Sequence, residues 1–170
     1  MPAELAYSSS ADARRVPSLA SALEYLTFKL GGVEYGIDIL KVQEIRGYEA
    51  PTGLPNAPEC VKGVLNLRGV IVPIFDLRVK FNCASAAFDA LTVTVILNLP
   101  GRVIGAVVDA VRDVIELTTN QIKAAPPFGD APYSDYVTGI ASLQQEGAER
   151  TLVLLDIEQA MFGVAGDPVL

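Results

Sequence analysis

VKGVLNLRGVIVPIFDLRVKF, residues Val61 to Phe81, is a β-hairpin written in sequence. Apolar β-formers fill both arms: Val64, Leu65 and Leu67, then Val70, Ile71, Val72, Ile74 and Phe75. Between them sits Asn66-Leu67-Arg68-Gly69, whose Asn and Gly tolerate the backbone angles of a reversal. Arg68 is the sole charge between Lys62 and Asp76. A cation in such an apolar stretch either snorkels to water or is presented to a partner. Spacing alone favours a solvated turn residue, since arginine is mostly exposed.

Outward from this hairpin the same script runs twice. Upstream, Tyr25–Leu30 alternates as a half-buried strand, Gly31-Gly32 turns the chain, and Glu34–Ile39 pairs back. Leu40–Arg46 reads as a helical turn leading into a strand, and Gly47–Pro58, with three prolines, as a loop. Downstream, Asn82–Ala90 breaks the β pattern as a connector. Thr92–Leu99 is a strand, Pro100-Gly101 a type II turn, and Arg102–Ala110 a very apolar return strand. Asp113–Leu117 is a further strand and Thr118–Ile122 a capped helical turn, before the Pro/Gly loop Ala124–Pro132. Val137–Gln144 and Thr151–Ile157 form a second hairpin around the polar turn Gln145–Arg150, and Glu158–Phe162 a short terminal helix.

The repeat is visible residue by residue. Val42-Gln43-Glu44-Ile45 answers Val111-Arg112-Asp113-Val114; Lys62-Gly63-Val64 answers Thr138-Gly139-Ile140; Ile74-Phe75-Asp76-Leu77 answers Leu154-Leu155-Asp156-Ile157. Each half has about five short strands, which fits two small barrels sharing a core, with a groove at their junction as the natural binding surface.

Composition narrows the function. The 170 residues are 51% hydrophobic, 19% charged and 7% aromatic, so the core is Val, Ile, Leu and Ala, or apolar surface awaits a partner. A net charge of −7, with no basic cluster beyond Arg14-Arg15, argues against nucleic acid and against an anionic membrane surface. There is no histidine, which removes the commonest general base and the Ser-His and Cys-His nucleophiles. Asp38, Asp76, Asp109, Asp113 and Asp156 fall at strand ends or turns, where an aspartate usually caps backbone amides. Neither GxGxxG nor GxxxxGK occurs. Cys60 and Cys83 lack metal-ligand spacing and read as two reduced thiols of an intracellular protein, with one disulfide between them as the alternative. The first 22 residues carry no apolar core of a signal peptide and are expected to be a disordered tail, and no apolar run reaches membrane-span length. A carboxylate or metal enzyme and an oligonucleotide-binding barrel are the competing classes; acidity and few aromatics count against the second.

The ordered set Tyr35–Tyr48 (YGIDILKVQEIRGY), Val61–Arg78, Val107–Val111, Val137–Ile140 and Leu152–Ile157 closely resembles the CheW family of bacterial chemotaxis coupling proteins, over about Glu24 to Met161. The resemblance implies a mainly β fold of two SH3-like five-stranded barrels sharing a core, with short helical turns and a short C-terminal helix. It places the domain at residues 23–165, with subdomains 24–87 and 88–162 and exchange of strands between them left open. It implies a non-enzymatic adaptor, without cofactor or metal, linking the cytoplasmic tip of transmembrane chemoreceptors to the regulatory domain of the histidine kinase CheA. That regulatory domain shares the fold and alternates with family members in rings, so further CheW copies are also partners. The protein would be cytoplasmic and recruited to arrays at the inner face of the membrane, without inserting. Val42, Gly63 and Arg68 match the family's receptor contact; Glu44 and Arg46 lie in the same motif. No kinase-contact residue is assigned. An adaptor of another chemosensory pathway, such as surface or pilus-based motility, is the alternative.

Overall fold

The computed structural model describes residues 22–83, 87–125 and 136–162. Residues 1–21 of the expected tail, the middle of the 82–90 connector and most of the second Pro/Gly loop lie outside these residues; Ala22, expected to end the tail, opens the first strand by pairing with Thr118. The strands are β1 Ala22–Leu30, β2 Val33–Asp38, β3 Val42–Gly47, β4 Val61–Leu67, β5 Val70–Asp76, β6 Val93–Leu99, β7 Arg102–Val108, β8 Ala110–Thr118, β9 Ile122–Lys123, β10 Val137–Gln145 and β11 Ala148–Leu155. Two short helices follow the second hairpin arms, α1 Leu77–Lys80 and α2 Ile157–Phe162. Single 3-10 turns, Ile39–Lys41 and Thr119–Gln121, precede β3 and β9. Among the described residues no helix is long and apolar enough to cross a membrane.

Several boundaries move relative to the sequence. The central reversal lies at Arg68-Gly69, flanked by the pair Leu67 and Val70; Asn66 stays in the ladder opposite Ile71. The quoted stretch does not end as a strand, because Asp76 caps α1 by accepting from the Arg78 amide at 3.0 Å. The polar turn of the last hairpin shrinks to Glu146-Gly147, since Gln145 pairs with Ala148; Glu149 stays exposed in the ladder, while Arg150 is buried. β8 begins at Ala110, so the return strand and its successor meet without a loop.

The two sheets draw on both halves of the chain. One has the order β8-β1-β2-β11-β10-β9, the other β3-β6-β7-β5-β4. The first hairpin of each half is inserted into the other half's sheet, between the third strand and the last hairpin. Both insertions are joined by a parallel pairing, β2 with β11 at Tyr35–Val153 and β7 with β5 at Gly105–Ile74. Each sheet curls closed through the segment after its third strand. Thr52 and Val64 exchange two backbone hydrogen bonds of 3.0 and 2.9 Å in one barrel, and β9 pairs with β10 in the other. Two SH3-like barrels result.

Alternation then sorts the core. Leu26, Phe28, Ile37, Phe75, Leu97 and Ile104 belong to one buried cluster shared by both sheets, and residues one step along each strand, such as Ile74 and Ile96 or Leu152 and Leu154, fill a separate cluster inside each barrel. β6 and β7 are buried along most of their length, as strands with a packed layer on both faces must be.

Candidate functional site

β3 is an edge strand, and alternation gives it two faces. Val42 and Ile45 pair with Leu97 and Val95 and so share their side of the sheet, against the common core; at the edge, Ile45 is left exposed. Glu44 and Arg46 point the other way, toward the mouth of the barrel. The β4–β5 hairpin brings Arg68 to the same place. Arg68 Nη2 donates to Glu44 Oε1 at 2.6 Å, and Arg46 Nη1 donates to Glu44 Oε2 at 3.1 Å. β3 and β4 are opposite edges of the sheet, so this clasp spans the closing seam of the barrel. The Arg68 and Arg46 hydrogen bonds hold the Glu44 carboxyl below its ordinary pKa, against a smaller desolvation. The Arg68 side chain is 66% exposed, and Val70 and Ile71 beside it are exposed too.

The turn that carries Arg68 demands left-handed backbone at both central positions, φ 53° at Arg68 and 90° at Gly69. Asn66 Oδ1 accepts from the Gly69 amide at 2.8 Å and holds the turn shut. Non-glycine residues pay for this conformation, so turn chemistry does not explain an arginine there. The counterpart turn strains Glu146 in the same way, φ 54°, so strain alone does not single out Arg68. The clasp to Glu44 and the exposed apolar neighbours do.

Gly63 differs from the other sequence candidates. It is buried, with φ 140°, and a Cβ there would sit 2.0 Å from the Thr52 carbonyl oxygen. The close approach it permits is of its own chain, at the barrel seam. Gly139 repeats this: a Cβ would lie 3.0 Å from the Lys123 carbonyl. The structure therefore brings Arg68, Glu44 and Arg46 together, with Val42 on the opposite face of the same strand and Gly63 apart from them, packed on Thr52.

Sequence reasoning missed the strongest polar cluster. Arg150, 6% exposed, donates to Glu34 Oε2 at 2.6 Å, Asp113 Oδ1 at 2.8 Å, Gln145 Oε1 at 2.8 Å and Thr27 Oγ1 at 3.2 Å. Arg112 adds a bond to Glu34 at 3.1 Å. Desolvation alone would raise the Glu34 carboxyl, but Arg150 and Arg112 outweigh it and lower the pKa. The Arg150 hydrogen bond likewise lowers Asp113. The signal was the repeat, which aligns Asp113 with Glu44. Asp38, Asp76, Asp109 and Asp156 do cap amides, those of Leu40, Arg78, Gly31 and Glu158. Asp113 instead sits mid-strand and ligates arginine. A second buried pair, Arg78 with Asp76 at 2.9 Å, is covered by the Phe88 ring 4.6 Å from the guanidinium. Among the described residues no group of three or more His, Cys, Asp or Glu could hold a metal ion. Cys60 and Cys83 are both half-buried.

The site is therefore a charged clasp beside exposed apolar residues on two interlocked barrels. Residues 24–162 match the CheW-like domain. The chain is 53% identical over 138 residues to the chemotaxis protein CheW of Klebsiella aerogenes, covering 81% of each chain. It is 25% identical over 138 residues to the protein FrzA of Myxococcus xanthus, covering 81% of this chain and 84% of that one. The crystal structure of the scaffolding protein TtCheW from Thermoanaerobacter tengcongensis superposes with a TM-score of 0.75 at 28% identity, over 87% of this chain and 97% of that one. This chain belongs to the CheW family and is a chemotaxis scaffold.

Proposed function

We propose that this protein couples the cytoplasmic helical tip of transmembrane chemoreceptors to the regulatory domain of the histidine kinase CheA, by binding both and without chemistry of its own. It would work in arrays at the inner face of the membrane, alongside further copies of itself. The likeness to the Klebsiella CheW, 53% against 25% for FrzA, favours chemotaxis over another chemosensory pathway.

One observation carries the receptor half: an exposed arginine, held by Glu44 at 2.6 Å in a backbone conformation that arginine does not prefer. A receptor helix laid along β3 would meet Val42 and Ile45 as apolar ground, in the helix-in-groove mode. Arg68 would fix its register by a polar contact, while Glu44 and Arg46 pre-organise the guanidinium. Gly63 would act at one remove, by letting the β4 seam close.

The test is receptor-dependent autophosphorylation of CheA without adaptor, with this protein, and with Arg68→Ala. Wild type restores receptor control; the variant does not, with about 2 kcal/mol or more lost from receptor binding and an unchanged β-sheet spectrum. An unfolded variant, or a wild type that leaves kinase activity untouched, overturns the reading.

A further inference from the structure

The 3-10 turn Ile39–Lys41 carries the chain out of one sheet and into the other, and Val42 follows it directly. Val42 is paired with Leu97, but the β3–β6 ladder shifts register directly after it, between Val42 and Glu44, so Val42 is held to β3 by one irregular step on one side and by the turn on the other. Asp38 caps that turn from within, accepting from the Leu40 amide at 2.9 Å. From outside, the Lys41 ammonium pairs with Glu158 of α2, 117 residues further along. α2 is itself fixed by Asp156, which accepts from the Glu158 amide at 3.1 Å. The Glu158 hydrogen bond raises the Lys41 pKa, so the charge is kept. Leu40, between cap and pair, is 84% exposed, the most exposed large apolar side chain among the described residues.

An ion pair as open as this one, with about a third of each side chain in water, adds little to stability. Its geometric effect is larger. It ties the crossover turn to α2, beside a cavity of about 250 Å³ that the pair lines together with Tyr25, Asp38, Thr138 and Asp156. We propose that Lys41 and Glu158 are positioning residues for partner binding: their pair holds the turn so that Leu40 and Val42 stand together as one apolar step at the start of β3. The occupant is the receptor's helical tip, so this rests on the function proposed above.

The test uses the full chain and a chemoreceptor cytoplasmic fragment containing the helical tip. Lys41→Met and Glu158→Gln are each expected to weaken binding about fivefold or more with an unchanged melting temperature. Amide exchange should quicken at Leu40, Lys41 and Val42 but not in β6 or β7. Lys41→Arg, which keeps the cation, should bind as wild type, and Leu40→Ser should bind as weakly as Lys41→Met. Wild-type affinity in Lys41→Met and Glu158→Gln, or affinity lost only together with melting temperature, overturns the proposal while Arg68→Ala still reports on the receptor reading. If the wild type does not bind the fragment, both fail.

Discussion

Arg68 and Arg150 show how one partner residue sets what an arginine does. Each clasps the acid at the same position of the repeat, Glu44 or Asp113. The residue paired across the ladder from Asp113 is Thr27, whose hydroxyl bonds both the acid and Arg150; the residue across from Glu44 is Ile96, which can bond neither. Arg150 can therefore be buried with its hydrogen bonds satisfied, and Arg68 stays in water. Arg150→Ala leaves two carboxylates poorly solvated and should cost about 3 kcal/mol or more, whereas Arg68→Ala should cost about 1 kcal/mol at most; urea denaturation measures both. The pH dependence follows from the lowered Glu34 and Asp113 pKa values. On acidification the unfolded chain protonates before the folded one, so the clasp's stability is full above the ordinary carboxylate range, about pH 4, and is lost as pH falls through the folded values. The stability gap between wild type and Arg150→Met should therefore narrow from pH 7 to pH 3; a constant gap would refute the account. Arg68 was legible in the sequence because it stands alone among apolar residues. Arg150 was not, because it lies among polar residues that look like a solvated turn, and its partners are supplied by four other strands.

At the scale of the element, the two seam glycines matter most. Gly63→Ala places a methyl group onto the Thr52 carbonyl in a backbone region closed to alanine. It should cost about 2 kcal/mol or more. Gly69→Ala also meets a positive φ, 90°, but open space, and should cost about 1 kcal/mol. Equal losses in the two variants would contradict this ranking. Thr94 offers a control of the opposite sign. Its hydroxyl is the one buried side-chain polar atom without a partner among the described residues. Thr94→Val should be neutral or stabilising by about 1 kcal/mol, read as a raised melting temperature. The repeated Lys62-Gly63-Val64 and Thr138-Gly139-Ile140 announced a shared element. The reason for glycine did not show, because the carbonyl it accommodates comes from a loop eleven positions upstream, Thr52, with no periodic signal of its own. Turn chemistry located the central reversal only to within two residues, since Asn66 belongs to the turn by its side chain and to the strand by its backbone.

The whole molecule is two halves, each completed by the other. Alternation and the repeat revealed strand content, barrel number and the duplicated plan. They did not reveal which strand belongs to which barrel, because the parallel joints, β2 with β11 and β5 with β7, connect distant strands and leave no local mark. The exchange predicts that a fragment ending at residue 86 and one beginning at residue 87 are each unfolded alone and fold on mixing, observed by circular dichroism of the fragments and their mixture. A first-half fragment that folds unaided would show that the inserted hairpin is dispensable.

That exchange also says something about descent. A peptide of half this length, paired with its twin about a two-fold axis and trading its opening hairpin, would build the same object from one gene segment used twice. In a single chain the two copies need not match: the acid at one repeat position is clasped by the buried Arg150 of a strand, the acid at the other by the water-exposed Arg68 of a turn.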